Sequence, residues 1–270
     1  FTRFVEVGRE PDAAQVGQEL IRTRGAEPSI AKHLEEIAVK LQDLEALGAS
    51  HDLLIQDLTG SSRAEEMVRQ AEVLVSAGVD PQEAIQHGEQ ALSSVAPADV
   101  EVLLERLGRV AVAPGHVIDL YERQIVRCKA PSDRLATLAR AAEVAADHDA
   151  GTRARGFFDL ALGAGVQEET LNAIEEVARS SDQRRGDSRL TAILAEALAA
   201  GGQGSRDGGR TRSALLRRAA DLAFRDLADI DKAFKWVGDA IVTHVDDAGL
   251  DALDALSHEV GDMRRSEVVL

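Results

Sequence analysis

A single cysteine, Cys128, in 270 residues excludes an intramolecular disulfide and any zinc site built on paired thiolates. A reducing, cytoplasmic setting is the expectation. Aromatic residues are scarce at 3% although hydrophobic residues reach 44%, so the apolar content is nearly all Ala, Leu, Val and Ile. That is the composition of closely packed helices. No apolar run approaches the roughly 20 residues that span a bilayer, and Phe1-Thr2-Arg3-Phe4 lacks the pattern of a secretion signal. No membrane insertion is expected. An initiator Met is also absent, which is the mark expected of a segment excised from a larger protein. Positive charge is in deficit: 31 Lys+Arg against 47 Asp+Glu give a formal charge of -16, which repels polyanions and argues against nucleic-acid binding.

Proline is rare but placed with meaning. Pro11, Pro28, Pro81, Pro97, Pro114 and Pro131 each stand where an apolar periodicity restarts, as expected of a residue that fits the first helical turn and breaks a helix interior. Asp80-Pro81-Gln82-Glu83 combines a capping residue, a proline and a Glu in the order that opens a helix. Between these marks apolar residues recur at three and four, as in Met67, Val68, Ala71, Leu74 and Val75. The pattern predicts an all-α fold. Its helices include one over 29 to 47, another over 167 to 180, and a short helical turn at 51 to 58.

Helices of one character then return. Arg69-Gln70-Ala71-Glu72-Val73 is echoed by Arg140-Ala141-Ala142-Glu143-Val144 and by Arg218-Ala219-Ala220-Asp221-Leu222. A second helix follows each, with alanines seven apart: Ala84 and Ala91, Ala154 and Ala161, Ala233 and Ala240. A third closes each unit around Leu104, Leu171 and Leu253. First members lie 70 and 79 residues apart, two helical hairpins of about 35 to 40 residues each, which is the size of a solenoid repeat. This divides the chain into a partial unit at 1–60 and units at 61–130, 131–200 and 201–270, the last beginning in a Gly-rich loop, all within one continuous solenoid domain.

Ala154, Phe158 and Ala161 resemble the small, large, small trio on the second helix of tetratricopeptide repeats. Ala233, Val237 and Ala240 are a looser match, Ala84, Gly88 and Ala91 keep the small positions, and Phe224 resembles the large residue of the family's first helix. Most of the family's Trp, Leu-Gly and terminal Pro positions are absent, so the chain resembles a divergent member over 62 to 261. The resemblance implies a right-handed α-solenoid of stacked antiparallel helical hairpins with a groove for a peptide or helix of a partner.

Motifs for chemistry are thin. Gly204, Gly209, Arg210 and Thr211 keep the spacing of a phosphate-binding loop, but Arg replaces Lys and a helix rather than a strand precedes it. Residues 201 to 209 therefore read as a surface loop without nucleotide affinity, with Arg206 as its first proteolytic site. The seven histidines form no i, i+4 pair and read as surface or boundary residues, and no metal or cofactor is expected. Asp246, Asp247 and Asp251 read as a helix start, where the dipole favours acids.

The repeated Arg69, Arg140 and Arg218 would form a column along equivalent helices, able to clamp carboxylates of an acidic partner. Each also has an acid three residues on (Glu72, Glu143, Asp221), the spacing of an intrahelical ion pair. Arg210, Arg212 and Arg217, in a basic stretch, are further partner-binding candidates. The sequence is thus read as a protein-interaction scaffold rather than an enzyme. A helical enzyme with a metal or phosphate site and a self-assembling spacer, hence a homo-oligomer, are the alternatives.

Overall fold

In the computed structural model the described residues are 1–24, 27–92, 95, 97–110, 114–163, 167–202, 207 and 209–261. Among them are fifteen helices and no strand. The chain forms two compact units, Phe1–Cys128 and Lys129–Leu270. The first holds α1 (Thr2–Glu6), α2 (Glu10–Arg24), α3 (Pro28–Leu41), α4 (Leu44–Gln56), α5 (Gly60–Ser76), α6 (Pro81–Leu92), α7 (Pro97–Val110) and α8 (Pro114–Arg127). The second holds α9 (Pro131–Asp147), α10 (Gly151–Gly163), α11 (Glu168–Arg185), α12 (Arg189–Ala200), α13 (Arg210–Arg225), α14 (Ile230–Thr243) and α15 (Asp247–Val260).

Five of the six prolines are the first residue of a helix, at α3, α6, α7, α8 and α9, and Pro11 is the second residue of α2. Asp80 opens α6 as its sequence requires, Oδ1 accepting the Gln82 amide at 2.8 Å. The stretch from 29 to 47, expected as one helix, is broken. Gln42 turns left-handed at φ 54°, and Asp43 caps a new helix by accepting the amides of Glu45 and Ala46 at 3.1 and 3.0 Å. The expected turn at 51 to 58 is therefore the second half of α4. At the other extreme α11 runs five residues past its expected end and stops at Gly186, whose φ of 71° suits glycine.

Successive helices pair as hairpins: α3 with α4, α5 with α6, α9 with α10, α11 with α12, and α13 with α14. Their short connections force antiparallel packing. Hairpin then packs on hairpin, α5 against α7 in the first unit, and α9 against α11 and α10 against α12 in the second. One hairpin cannot cover its own apolar face, so the stacking makes the core.

The core is built on alanine. Ala84, Ala91, Ala154, Ala161, Ala233 and Ala240 are all buried, and Phe158 between Ala154 and Ala161 is fully enclosed. Gly88 continues the theme, since a Cβ there would stand 2.4 Å from Leu107 Cδ2 on α7. Helices this close leave no room for a longer side chain. Ala161→Leu should overpack its contact and cost about 1–3 kcal/mol, read as a lower denaturation midpoint with an unchanged m-value. An unchanged midpoint would mean that α10 is not a tight neighbour.

Candidate partner-binding surfaces

Charges on the first helices of the hairpins are paired from one hairpin to the next. In the first unit Arg69 of α5 grips both oxygens of Glu35 of α3, each at 2.7 Å. One hairpin on, Arg106 of α7 grips both oxygens of Glu72 of α5 at 3.0 and 2.8 Å. Second helices repeat the device, Arg123 of α8 donating to Glu89 of α6 at 2.7 Å. All three pairs are 34 residues apart in sequence.

The second unit uses the same logic. Glu143 of α9 accepts from Arg184 and Ser181 of α11, Glu175 of α11 from Arg218 of α13, and Glu196 of α12 from Lys232 of α14. In each pair the acid sits on the earlier helix and the base on the later. A planar guanidinium facing two carboxylate oxygens fixes register as well as distance.

The six arginines singled out by the sequence can now be placed. Arg69 pairs with Glu35 and, on its own helix, with Glu66 three residues before it, not with Glu72. Arg218 pairs with Glu175 and Asn172 on α11, while Asp221 is taken by Arg225. Only Arg140 makes the expected pair with the acid three residues on, Glu143. The expected intrahelical pairs at Arg69 and Arg218 are corrected because the preceding hairpin offers each guanidinium two oxygens, both of Glu35 for Arg69 and one each of Glu175 and Asn172 for Arg218. Arg217 donates to both oxygens of Asp246, and Arg212 to the carbonyl of Gly201 at 3.3 Å. Arg210 is exposed at the first position of α13.

A buried polar junction lies in the first unit, and the sequence reading missed it. Glu35 and His51 are buried, 8% and 4% exposed, so His51 is a core residue rather than a surface one. His51 Nε2 lies 3.2 Å from Glu35 Oε2, beside the Arg69 pair. Gln70, wholly buried, donates its amide to the His51 carbonyl at 3.1 Å and turns its oxygen toward His87 Nε2, also 3.1 Å away. The His51 and His87 rings stack with centroids 6.4 Å apart. Burial pushes the Glu35 carboxyl up, but the hydrogen bonds from His51 and Arg69 outweigh it and hold the pKa at about 2. Burial, then the nearby His51, lowers the pKa of His87.

The start of α13 answers the phosphate-loop question in part. Residues 203–206 and 208, with Arg206 and its expected cleavage, lie outside the described residues. Among the described ones, Asp207 accepts both the amide and the hydroxyl of Thr211. The first turn of the helix thus already holds a carboxylate where a phosphate would sit. Gly209, at φ 88°, lets α13 approach the end of α14 so closely that a Cβ would meet the Thr243 carbonyl oxygen at 2.9 Å. At α15 Asp246 is the cap, accepting the Gly249 amide at 2.8 Å, and is paired with Arg217. Asp246→Ala should therefore cost about 1–2 kcal/mol, measured as faster amide exchange in the first turn of α15. Unchanged exchange there would refute the cap.

Clefts open at the surface include two among the described residues. One, of about 210 Å³, lies between α6 and α8, where Glu89 is held by Arg123 and Arg127. The other, also about 210 Å³, lies between α13 and α15. Phe224, Val237 and Leu256 line it, with Ala252 and Ala255 on the α15 wall. Among the described residues no three metal-ligating side chains cluster, and no helix is long and apolar enough to cross a membrane.

No protein-family model matches the chain, and no curated protein matches it. Among solved structures the chain is similar to a circular tandem repeat protein with novel repeat topology and enhanced subunit contact surfaces. Identity is 17% over 99% of this chain and 63% of that one, with a TM-score of 0.24. The chain spans less than two thirds of that structure's length, and the two do not superpose as wholes. The helical-repeat character of this chain stands on its own stacked hairpins.

Proposed function

We propose that this chain is a scaffold or adaptor segment, a divergent relative of the tetratricopeptide repeats, that holds a peptide or helix of another protein on its stacked hairpins. The observation that carries this reading is the acid-to-base ladder between successive hairpins. Its buried charges are committed to holding hairpins in register, and side chains at equivalent positions then recur along a face, which suits extended recognition. No catalysis and no cofactor belong to this reading, and its setting is cytoplasmic.

Affinity capture combined with cross-linking mass spectrometry tests it. A partner segment cross-linked to described helices is the expected result. A saturable rise in melting temperature with a nucleotide or a divalent metal, and no cross-linked partner, would favour an enzyme instead, since a ligand at 100 times its Kd adds about 2.7 kcal/mol.

A further inference from the structure

We infer that the cleft between α13 and α15 receives a large apolar side chain from a basic amphipathic segment of a partner protein. This rests on the adaptor reading and deepens it by naming the place and the charge of the partner.

The floor of the cleft is apolar. Val237 and Leu256 are buried, and Phe224, on α13, is half-buried at its side. Ala255, Leu256 and Glu259 stand three, four and seven residues after Ala252 along α15, so one stripe of that helix faces the cleft. Its two alanines keep the wall low, and Ala255 is exposed. The shape suits one bulky aliphatic or aromatic group.

The charge at the mouth decides the partner. The basic side chains that line the cleft are already committed, Arg217 to Asp246 and Arg225 to Asp221. Among the described residues, the acids of α15 at and beside the cleft are not so paired: Glu259 at the cleft and Asp251 and Asp254 on the adjoining face are exposed and in no ion pair with Arg or Lys, the basic neighbour on their own helix being His258. The charge on offer is therefore negative. An apolar anchor flanked by Lys or Arg is complementary to it, and an acidic segment is repelled. This reverses the sign that the arginine column suggests from sequence alone.

The test uses the full chain and a fluorescent amphipathic helical peptide of about 18 residues, with Leu and Phe on one face and Lys and Arg beside them. Its counterpart carries Glu at every basic position. The basic peptide should bind, more weakly as salt rises, and the acidic one should bind at least about tenfold less tightly. Ala255→Trp, which fills the cleft from an exposed position, should weaken binding about tenfold without lowering the melting temperature. Glu259→Lys, at another exposed position, should weaken it as well and serves if the first variant is unstable. Equal binding of the two peptides, no binding of either, or binding untouched by both variants would overturn the inference. A natural partner captured equally by the parent and by Ala255→Trp would remove this cleft and leave the adaptor reading standing. Capture of nothing by the parent would remove the adaptor reading itself.

Discussion

Replacing Glu35 by Ala should lower the stability of the first unit by about 3 kcal/mol, because it strands a buried imidazole and half of a two-oxygen clamp. Arg69 keeps Glu66, which limits the loss, but among the described residues no other carboxylate pairs with His51. The effect should appear as faster amide exchange in α3 to α6, with the helices of the second unit unchanged. Equal protection in the variant would mean that the junction is held by its apolar neighbours alone.

The same junction sets an acid dependence in two steps. The folded pKa of His87 lies below its unfolded value of 6.5, so its neutral form is favoured by the fold and stability falls as pH drops below about 6.5. Glu35, held at about 2 against 4.5 unfolded, contributes stability that is complete above pH 4.5 and is lost between there and about 2. The titratable groups acting on His87 are His51, which disfavours its protonation, and Asp52, which favours it. Chemical denaturation across pH should show both steps for α3 to α6. His87→Gln should flatten the upper step and spare the lower. A variant that kept both would place the upper step on another group.

In the second unit the largest single loss is expected at Asp182, where Asp182→Ala should cost about 3–4 kcal/mol. This carboxylate belongs to α11 yet caps α12, accepting the amides of Leu190 and Thr191 at 2.9 and 2.7 Å. Arg185 donates to it at 2.6 Å from three residues further along α11. Residue 182 is 5% exposed, so the alanine would leave two buried amide groups without an acceptor. Asp182→Asn, which keeps an oxygen for one of them, should recover part of the loss. Were both variants to melt with the parent, water would have to reach the α11–α12 turn.

Helix starts were legible because proline and capping acids act within one turn. Pro28, Pro81 and Pro131 each open a helix, and the alanines seven apart mark the tight faces. The break between α3 and α4 was not legible, since Ile37, Leu41, Leu44 and Leu47 keep an unbroken apolar rhythm and the left-handed residue is Gln42 rather than a glycine. The partners of Arg69 and Arg218 were hidden for another reason. Acids near in sequence are visible, whereas acids 34 and 43 residues away become neighbours only once the hairpins are stacked. His51 looked like any polar residue because nothing local to it predicts the carboxylate it meets on α3. The cleft at α15 was likewise unreadable: Asp251 was seen as part of a helix start, but not Glu259 at the mouth, nor that the nearby arginines are already engaged.

The ladder of the first unit bears on how such a chain can lengthen or shorten over generations. Glu72 stands 37 residues after Glu35, Asp80 after Asp43, and Arg106 after Arg69, and the members of each couple perform the same task. Excising 37 consecutive residues from between Glu35 and Arg106 in that register brings these two to the 34-residue separation of the Arg69–Glu35 and Arg106–Glu72 pairs. Duplicating the stretch adds one more matched pair. Recombination in hairpin-sized steps therefore strands no charge on the first-helix face, and the number of hairpins is open to drift while the rule that joins them is conserved.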